Sequence, residues 1–442
     1  MQVLLDLIAR HENPHGYPHE DPNENLGRAS GVTSLCSAHP IVIEASLRHA
    51  QRTSQALVLF EATCNQVNQD GGYTGMTPAD FVRFVHGIAD RVGFERTRIA
   101  LGGDHLGPNP WTGLDAAAAM DKAETMVAAY VAAGFRKIHL DCSMACNGDA
   151  EPLPEAEIVR RAVRLCRAAE TAYAQAGGKA PVYVIGTEVP VPGGATESIE
   201  GLAVTTPQAA LATIDAHREA FAAAGLQAAW QRVIASVVQP GVEFDHHSVI
   251  DYDSEAARSL SKAIEGVPGM VFEAHSTDYQ TRQNLSALVR DHFAILKVGP
   301  GLTFALREAL WALDAIEREW IDAPQRARLR EVAIERMREH PGHWRKYYHS
   351  EGDALSVDLQ YSLSDRIRYY WPDPVIEQAR QRLFDNLRAN PPPIPLISQY
   401  LPHALRALRN GTATHEPLSL AMAHISAVLD DYYHACHDRQ DH

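Results

Sequence analysis

Acidic and imidazole side chains directly follow short apolar runs in this sequence. Asp104 and His105 come after Ile99–Leu101 and two glycines. Three more residues of these types follow later apolar runs: Glu188, His246 and His275. Imidazole is the commonest protein ligand of zinc and also suits cobalt, nickel and iron. The three histidines therefore predict a divalent metal centre with an open coordination position, which is the catalytic arrangement.

Each of these histidines, taken singly, is better explained as an ordinary buried or exposed residue. Spacing also does not choose between His246 and its neighbour His247 as a ligand. Asp104 and Glu188 would remain as acid and base, because a metal site that moves protons needs carboxylates that do not bind the ion. Zinc is the expected ion, with manganese, cobalt or nickel as alternatives.

Polar residues that could bind a substrate lie at or after the ends of five of the apolar runs. They are Asn65, Gln66, Asn68, Asp141, Gln239, Ser276, Asp278, Lys297 and Gly299. The first three suit sugar hydroxyls or phosphate oxygens, although a loop that satisfies its own hydrogen bonds has the same composition. The ends of the last two runs, around Ser276 and Gly299, predict a phosphate site built from backbone N–H groups. The simplest alternative for Lys297 is a solvated lysine.

Eight apolar runs of strand length alternate with longer helical stretches between about Gly31 and Leu310. The runs are Gly31–Cys36, Ala56–Ala62, Arg98–Gly103, Lys137–Asp141, Val182–Glu188, Val233–Val238, Met270–Ala274 and Phe293–Val298. This alternation predicts parallel βαβ units, and eight units match the ~250 residues of a (β/α)₈ TIM barrel. A doubly wound open sheet is the alternative, but the polar clusters after nearly every run favour the barrel. The carboxyl ends of the strands would then meet at one mouth.

Helical patterns without strand-like runs continue after Trp311. We therefore expect an α/β chain in two parts. Residues 1–313 would form the barrel with an N-terminal segment, and residues 314–442 would form a helical C-terminal extension.

Composition restricts the classes of function. The 442 residues carry a net charge of −15, so the overall field repels nucleic acid and anionic membranes. No apolar run approaches the ~20 residues of a membrane span, and the first residues make a poor signal peptide. Six cysteines are few for this length, which predicts reduced thiols and a cytoplasmic protein. Cys142 and Cys146 are expected to be buried thiols rather than a metal pair.

Several long motifs in the chain are distinctive. They include Cys36-Ser-Ala-His-Pro40, Gly102-Gly-Asp-His-Leu-Gly-Pro-Asn109, Gly186-Thr-Glu-Val-Pro-Val-Pro-Gly-Gly194, Gln239-Pro-Gly-Val-Glu-Phe-Asp-His246, Glu273-Ala-His-Ser-Thr-Asp278 and Ser362-Leu-Ser-Asp-Arg-Ile-Arg-Tyr-Tyr-Trp371. These motifs resemble the Z-type subunit of class II D-tagatose-1,6-bisphosphate aldolase, and the resemblance covers nearly the whole chain. Cys64, Asp70 and the acidic segment before Gly31 depart from the family's pattern.

The resemblance implies a (β/α)₈ barrel of the class II aldolase type. It also implies that Asp104 is the acid/base, that Glu188 is a second proton-transfer group, and that three histidines bind the metal: His105, His246 and His275. Members of this family are usually described as stabilising a Y-type catalytic aldolase subunit without aldolase activity of their own. Some relatives epimerise hexuloses or their phosphates at C4.

Two functions therefore stand as alternatives. In the first, the chain is a metal-dependent enzyme that epimerises the ketohexose phosphates tagatose 6-phosphate and fructose 6-phosphate at C4 by retro-aldol chemistry. In the second, it is a non-catalytic subunit that stabilises and activates a partner aldolase. A sugar-phosphate kinase is not expected, because the sequence has no Gly-x-x-x-x-Gly-Lys-Ser/Thr loop. The chain could also form a homo-oligomer.

Overall fold

Eight parallel strands form a closed barrel in the computed structural model, which describes residues 2–12, 30–187 and 202–437. In chain order, the ten strands of the described residues are β1 (Val32–Leu35), β2 (Val58–Thr63), β3 (Ile99–Leu106), β4 (Lys137–Leu140), β5 (Val182–Ile185), β6 (Val233–Val238), β7 (Glu243–Phe244), β8 (Val249–Ile250), β9 (Val271–Ala274) and β10 (Phe293–Val298). β7 and β8 form a separate antiparallel pair, and β10 closes the barrel on β1. The predicted barrel is confirmed, and the doubly wound sheet is excluded.

Helices follow the barrel strands and form the extension. They are α1 (Gln2–Glu12), α2 (Pro40–Arg52), α3 (Pro78–Val92), α4 (Ala116–Ala133), α5 (Glu155–Ala176), α6 (Pro207–Ala223), α7 (Gln227–Trp230), α8 (Ser254–Ala263), α9 (Arg282–Arg290), α10 (Pro300–Trp320), α11 (Leu329–Glu339), α12 (Gly352–Tyr361), α13 (Pro374–Ala389), α14 (Ile394–Tyr400), α15 (Pro402–Arg409) and α16 (Pro417–His437). Helix ends follow local sequence: α3 begins at a capping box of Thr77 and Asp80 and ends at Gly93, whose φ is 69°. No described helix is long and apolar enough to cross a membrane.

Two glycines in β3 lie where a Cβ atom would meet neighbouring side chains. A Cβ atom at Gly102 would lie 2.8 Å from Cγ of Glu61, and one at Gly103 would lie 2.5 Å from Cδ1 of Leu106. A side chain at Gly102 would therefore displace the buried Glu61 carboxylate, and one at Gly103 would require Leu106 and Tyr130 to shift. β3 can therefore run beside the Glu61 carboxylate and place Asp104 at its carboxyl end.

Apolar side chains fill the opposite end of the barrel. Leu4 and Ile8 of α1 pack with residues at the beginnings of several strands, among them Val32, Ala100 and Val271. Burial of this apolar surface holds α1 against the barrel. The polar residues are left at the carboxyl ends of the strands.

The C-terminal extension packs back onto the barrel. α10 continues to Trp320, so the expected boundary at 313 falls within this helix, and α16 contacts α2, α9 and α10. A 3₁₀ turn at Arg366–Tyr369 lies close to the barrel mouth. Just before it, the N–H of Leu363 donates to the carbonyl of His246 at 3.0 Å, and the hydroxyl of Tyr279 donates to the carbonyl of Leu363 at 2.5 Å.

Candidate active site

Four buried side chains at the barrel mouth form a candidate metal-binding group. They are Asp104 of β3, His139 of β4, Glu273 of β9 and His275, which follows β9. One potential ligand atom of each lies within 4.8 Å of those of the other three. Carboxylate oxygens and imidazole nitrogens are the ligands that zinc takes in catalytic sites. This group could therefore bind a metal ion.

Distances within the metal-binding group are close to the spacing of ligands around an ion. His139 Nδ1 lies 2.9 Å from Asp104 Oδ1, and His275 Nε2 lies 3.0 Å from Glu273 Oε1. Ligand atoms of a tetrahedral zinc, with bonds of about 2.0–2.1 Å, lie roughly 3.3 Å apart. His139 Nδ1 also accepts a hydrogen bond from the N–H of His105 at 3.2 Å, whereas its Nε2 is buried without a partner among the described residues and is the nitrogen left for an ion. A buried unpaired nitrogen is unfavourable, so these residues fit a bound cation.

Two buried lysines balance the carboxylates of the site. Lys137 Nζ lies 2.7 Å from both Glu61 and Glu273. Lys297 Nζ lies 2.9 Å from Glu61 Oε2 and 3.0 Å from Asp104 Oδ1. All five side chains are almost completely buried, where opposite charges interact more strongly than in water. The interpretation of Lys297 as a solvated lysine is therefore wrong.

These ion pairs determine which groups are charged. Burial alone would raise the pKa of Asp104, but His105, Lys297 and His139 hold that pKa well below its usual range. Burial alone would lower the pKa of Lys297, but the carboxylates of Asp104 and Glu61 contribute to raising it well above its usual value. Lys297 is therefore held as an ammonium group between these carboxylates.

His105 lies between two carboxylates beside the metal-binding group. Its Nδ1 lies 2.8 Å from Asp141 Oδ2, and its Nε2 lies 3.6 Å from Asp104 Oδ2. Burial lowers the pKa of His105, but the two carboxylates outweigh it and raise the pKa overall. His105 has a φ of 49°, a backbone conformation that is uncommon outside glycine and is concentrated at functional sites. An imidazole between two carboxylates can hold and transfer a proton.

The structure does not bring His246 into the metal-binding group. Its Nδ1 lies 3.0 Å from Ser364 Oγ, and its Nε2 lies 3.0 Å from the carbonyl oxygen of Tyr347. His247 Nε2 lies 2.6 Å from the Asp358 carboxylate. The chain passes through β7 before it reaches these histidines, which carries them away from the end of β6 and towards the extension. Both histidines join the barrel to the extension.

His139 and Glu273 are missing from the predicted ligand set because they lie within strands and not after them. A signal for them exists in the sequence. Polar and apolar residues alternate from Lys137 through His139 to Asp141, which directly follows β4. The same spacing separates Glu273 and His275 around β9. Side chains alternate between the two faces of a strand, so polar residues at every second position indicate a polar barrel interior.

The metal-binding group opens onto a cavity of about 430 Å³, a size typical of small-molecule sites. The predicted site residues that line this cavity are Asn65, Gln66, Asp104, His105, His275, Ser276, Asp278, Lys297 and Gly299. Asn68, Asp141 and Gln239 are not among the lining residues; the amides of Asn68 and Gln239 bond to backbone groups of their own loops. Glu188 lies outside the described residues.

The backbone groups predicted to bind phosphate already have a partner. Asp278 Oδ1 accepts from the N–H groups of Gly299 and Gly301 at 2.9 and 2.7 Å. Asp278 thus occupies the N-terminus of α10, where a negative charge is favourable. A phosphate group would have to displace this carboxylate to reach the same donors.

The fold and the cavity define a (β/α)₈-barrel protein with a buried carboxylate–imidazole centre at its mouth. Residues 22–437 match the D-tagatose-1,6-bisphosphate aldolase subunit GatZ/KbaZ-like family, and the chain belongs to that family. The family resemblance of the sequence motifs is confirmed.

One solved structure is similar to nearly the whole chain, and two others are similar to a lower degree. A probable tagatose 6 phosphate kinase from Sinorhizobium meliloti 1021 is 52% identical, with a TM-score of 0.85, and the match covers 92% of this chain and 100% of that chain. The fructuronate-tagaturonate epimerase UxaE from Cohnella laeviribosi is 14% identical, with a TM-score of 0.47, over 92% of this chain and 82% of that chain. A fructose-bisphosphate aldolase from Campylobacter jejuni is 13% identical, with a TM-score of 0.43, over 82% and 89%. The last two likenesses are too weak to support a statement on function.

Proposed function

We propose that this protein is an enzyme that interconverts tagatose 6-phosphate and fructose 6-phosphate by breaking and remaking the C3–C4 bond. The observation that carries the proposal is the buried group of Asp104, His139, Glu273 and His275, which opens onto a cavity large enough for a sugar phosphate. Family membership supports a place in ketohexose-phosphate metabolism. Buried ionised side chains at a cavity are typical of catalytic sites.

A divalent ion, with zinc as the first candidate, would be held by His139, Glu273 and His275 of the metal-binding group, which leaves the Asp104 carboxylate free to act as a base. When bound, it would supply Lewis-acid polarisation of the substrate's C2 carbonyl. Lys297 balances the charge of the Asp104 carboxylate, because its Nζ lies 3.0 Å from Asp104 Oδ1. The ammonium group therefore adds positive charge close to the position where the substrate oxygens would lie.

Asp104 would accept the proton of the C4 hydroxyl. Its Oδ1 is bonded to His139 and Lys297, whereas its Oδ2 has looser contacts, 3.6 Å to His105 Nε2 and 4.0 Å to the Cys36 thiol. As the C4 oxygen loses its proton and becomes an aldehyde, the C3–C4 electron pair stays on the C1–C3 fragment as an enediolate. Rotation of the aldehyde and renewed attack by C3 then give the C4 epimer, and the proton returns from Asp104.

His105 would support this proton transfer, since it lies between Asp104 and Asp141. The Asp141 carboxylate fixes the orientation of the imidazole through Nδ1. We propose Glu188 as a further proton-transfer group, on its match to the family motif.

Purified protein loaded with zinc, manganese, cobalt or nickel and incubated with tagatose 6-phosphate tests the proposal. We expect fructose 6-phosphate as the product, identified by chromatography against standards. Absence of any product with all four metals would refute an intrinsic activity.

The family's description as an aldolase subunit favours a second candidate, a stabilising partner of a catalytic Y-type subunit. Mixing the two purified chains tests it. The aldolase activity or the thermal stability of the Y-type subunit should rise when this protein is added. If both properties stay the same, the role as a stabilising partner is excluded.

A further inference from the structure

We propose that Arg368, in the C-terminal extension, binds the phosphoryl group of the substrate. The extension would then supply the anion-binding part of the site, while the barrel supplies the chemistry. The inference rests on the proposed function, because it identifies where a phosphorylated ketose is held.

Arg368 lies in the wall of the cavity together with its neighbour Tyr369. Its guanidinium group donates to the carbonyl oxygens of Ser364 and Asp365, the latter at 3.0 Å, and to the hydroxyl of Tyr369 at 2.9 Å. All three acceptors are uncharged. Among the described residues, no carboxylate forms a salt bridge with it.

A guanidinium group has five N–H donors in a rigid fork that matches phosphate oxygens. The contacts above use at most three of them, so donors remain for a ligand. Burial raises the pKa of the neighbouring Asp365 to about 7, which reduces the negative charge beside Arg368 near neutral pH. An arginine in a cavity wall that forms no salt bridge with a described carboxylate is therefore prepared for an anion.

The other lysine and arginine side chains that line the cavity are already paired. Lys297 has Glu61 and Asp104 as partners. Arg380 Nε donates to Glu377 at 2.8 Å. Asp278 occupies the backbone donors at the start of α10. In a protein of net charge −15, Arg368 is thus the cation available to an anionic substrate among the described residues that line the cavity.

Contacts with the barrel hold Arg368 in position. Thr303 Oγ1 donates to Asp365 at 2.5 Å, and the rings of Tyr73 and Tyr369 meet edge to face with centroids 4.7 Å apart. The 3₁₀ turn that carries Arg368 is therefore anchored on both sides. A preorganised donor loses little conformational freedom when a ligand binds.

Calorimetric titration of the metal-loaded protein with fructose 6-phosphate, fructose and inorganic phosphate tests the proposal. Arg368→Gln should weaken binding of fructose 6-phosphate by about 10–100-fold, as expected for the loss of a charged hydrogen-bonding group. The affinity of the Arg368→Gln protein for fructose should differ from that of the parent by less than about two-fold. Inorganic phosphate should compete with fructose 6-phosphate in the parent protein and not in the variant.

Arg382→Gln is a matched control, because Arg382 also donates to backbone carbonyls of the extension but does not line the cavity. Its affinity for fructose 6-phosphate should equal that of the parent. If Arg368→Gln does not fold, Arg368→Met replaces it, since methionine keeps a long side chain and removes the charge; a loss of less than about two-fold there would overturn the proposal.

The outcomes separate this inference from the proposed function. A parent protein that binds fructose 6-phosphate no better than fructose would refute both. A parent that prefers the phosphorylated sugar, with the same preference in Arg368→Gln, would overturn the role of Arg368 alone.

Discussion

Lys137 provides a direct test of the charge balance inside the barrel. Its ammonium group lies 2.7 Å from Glu61 and 2.7 Å from Glu273, and all three side chains are 0% exposed. Lys137→Met keeps a long, unbranched side chain but removes the charge. Lys297 would then be the only described lysine left beside three buried carboxylates, those of Glu61, Asp104 and Glu273.

The expected loss follows from the burial of these pairs. Removing one partner of a buried ion pair leaves an uncompensated charge and typically lowers the free energy of unfolding by about 3–5 kcal/mol. Lys122→Met is the control, because Lys122 forms an exposed pair with Asp70 at 2.9 Å. Exposed pairs of this kind contribute only about 0–1 kcal/mol. Adding Glu61→Gln to Lys137→Met should recover part of the loss, since it removes one of the unpaired charges.

Urea unfolding followed by circular dichroism measures both effects. The buffer contains a chelator, so that a bound cation does not replace the missing ammonium group. A loss below about 1 kcal/mol for Lys137→Met, equal to that of Lys122→Met, would refute the reasoning that these ion pairs are desolvated.

Three further predictions concern the site and its neighbours. Asp104→Asn should keep the fold and lower epimerase turnover by about 10²–10⁴-fold in steady-state assays, because the amide cannot accept the C4 hydroxyl proton. His139→Ala should lose bound metal in elemental analysis of the purified protein, whereas His246→Ala should retain it, because His246 bonds to the extension. Asp365→Asn should flatten the pH dependence of unfolding free energy between about pH 4 and 7, by an amount on the order of 1–4 kcal/mol.

The direction in which Asp365→Asn changes the pH dependence of unfolding follows from the burial of the Asp365 carboxyl group. Burial raises the pKa of Asp365 to about 7, so in this window the folded protein keeps a proton that the unfolded chain has released. The free energy of unfolding therefore falls as pH rises, and Asn removes this contribution. Other groups that act on Asp365 are Thr303, Arg307, Glu308 and Arg368.

Each of these predictions has a contrary result. Parent-level turnover in Asp104→Asn would exclude this carboxylate as the base. Equal metal loss in His246→Ala and His139→Ala would return His246 to the ligand set. An unchanged pH profile in Asp365→Asn would mean that this carboxyl group does not titrate near pH 7 in the folded protein.

The barrel could be predicted from sequence because its signals are local. Buried parallel strands are continuous apolar runs, and two of them, Val233–Val238 and Phe293–Val298, have the expected bounds. The carboxyl-end placement of Asp104, His105 and His275 follows from the same reasoning, since strand ends converge in any closed barrel.

Which residues form the site could not be predicted fully, because it depends on contacts between residues that are far apart in the sequence. His246 is withdrawn from the centre by the path through β7 and by its bonds to Ser364 and Tyr347, which lie more than 100 residues further along the chain. Asp278 reaches the N–H groups of Gly299 and Gly301 only after β9 and β10 pair. His139, in contrast, could have been predicted from the sequence, because polar and apolar residues alternate around it.

The most direct test of the account is conversion of tagatose 6-phosphate by the metal-loaded protein in D₂O, followed by nuclear magnetic resonance. Cleavage and renewal of the C3–C4 bond leaves the hydrogen on C4 in place throughout. We therefore predict fructose 6-phosphate without deuterium at C4. Deuterium at C4, or no fructose 6-phosphate from fully loaded protein, would contradict the proposed chemistry.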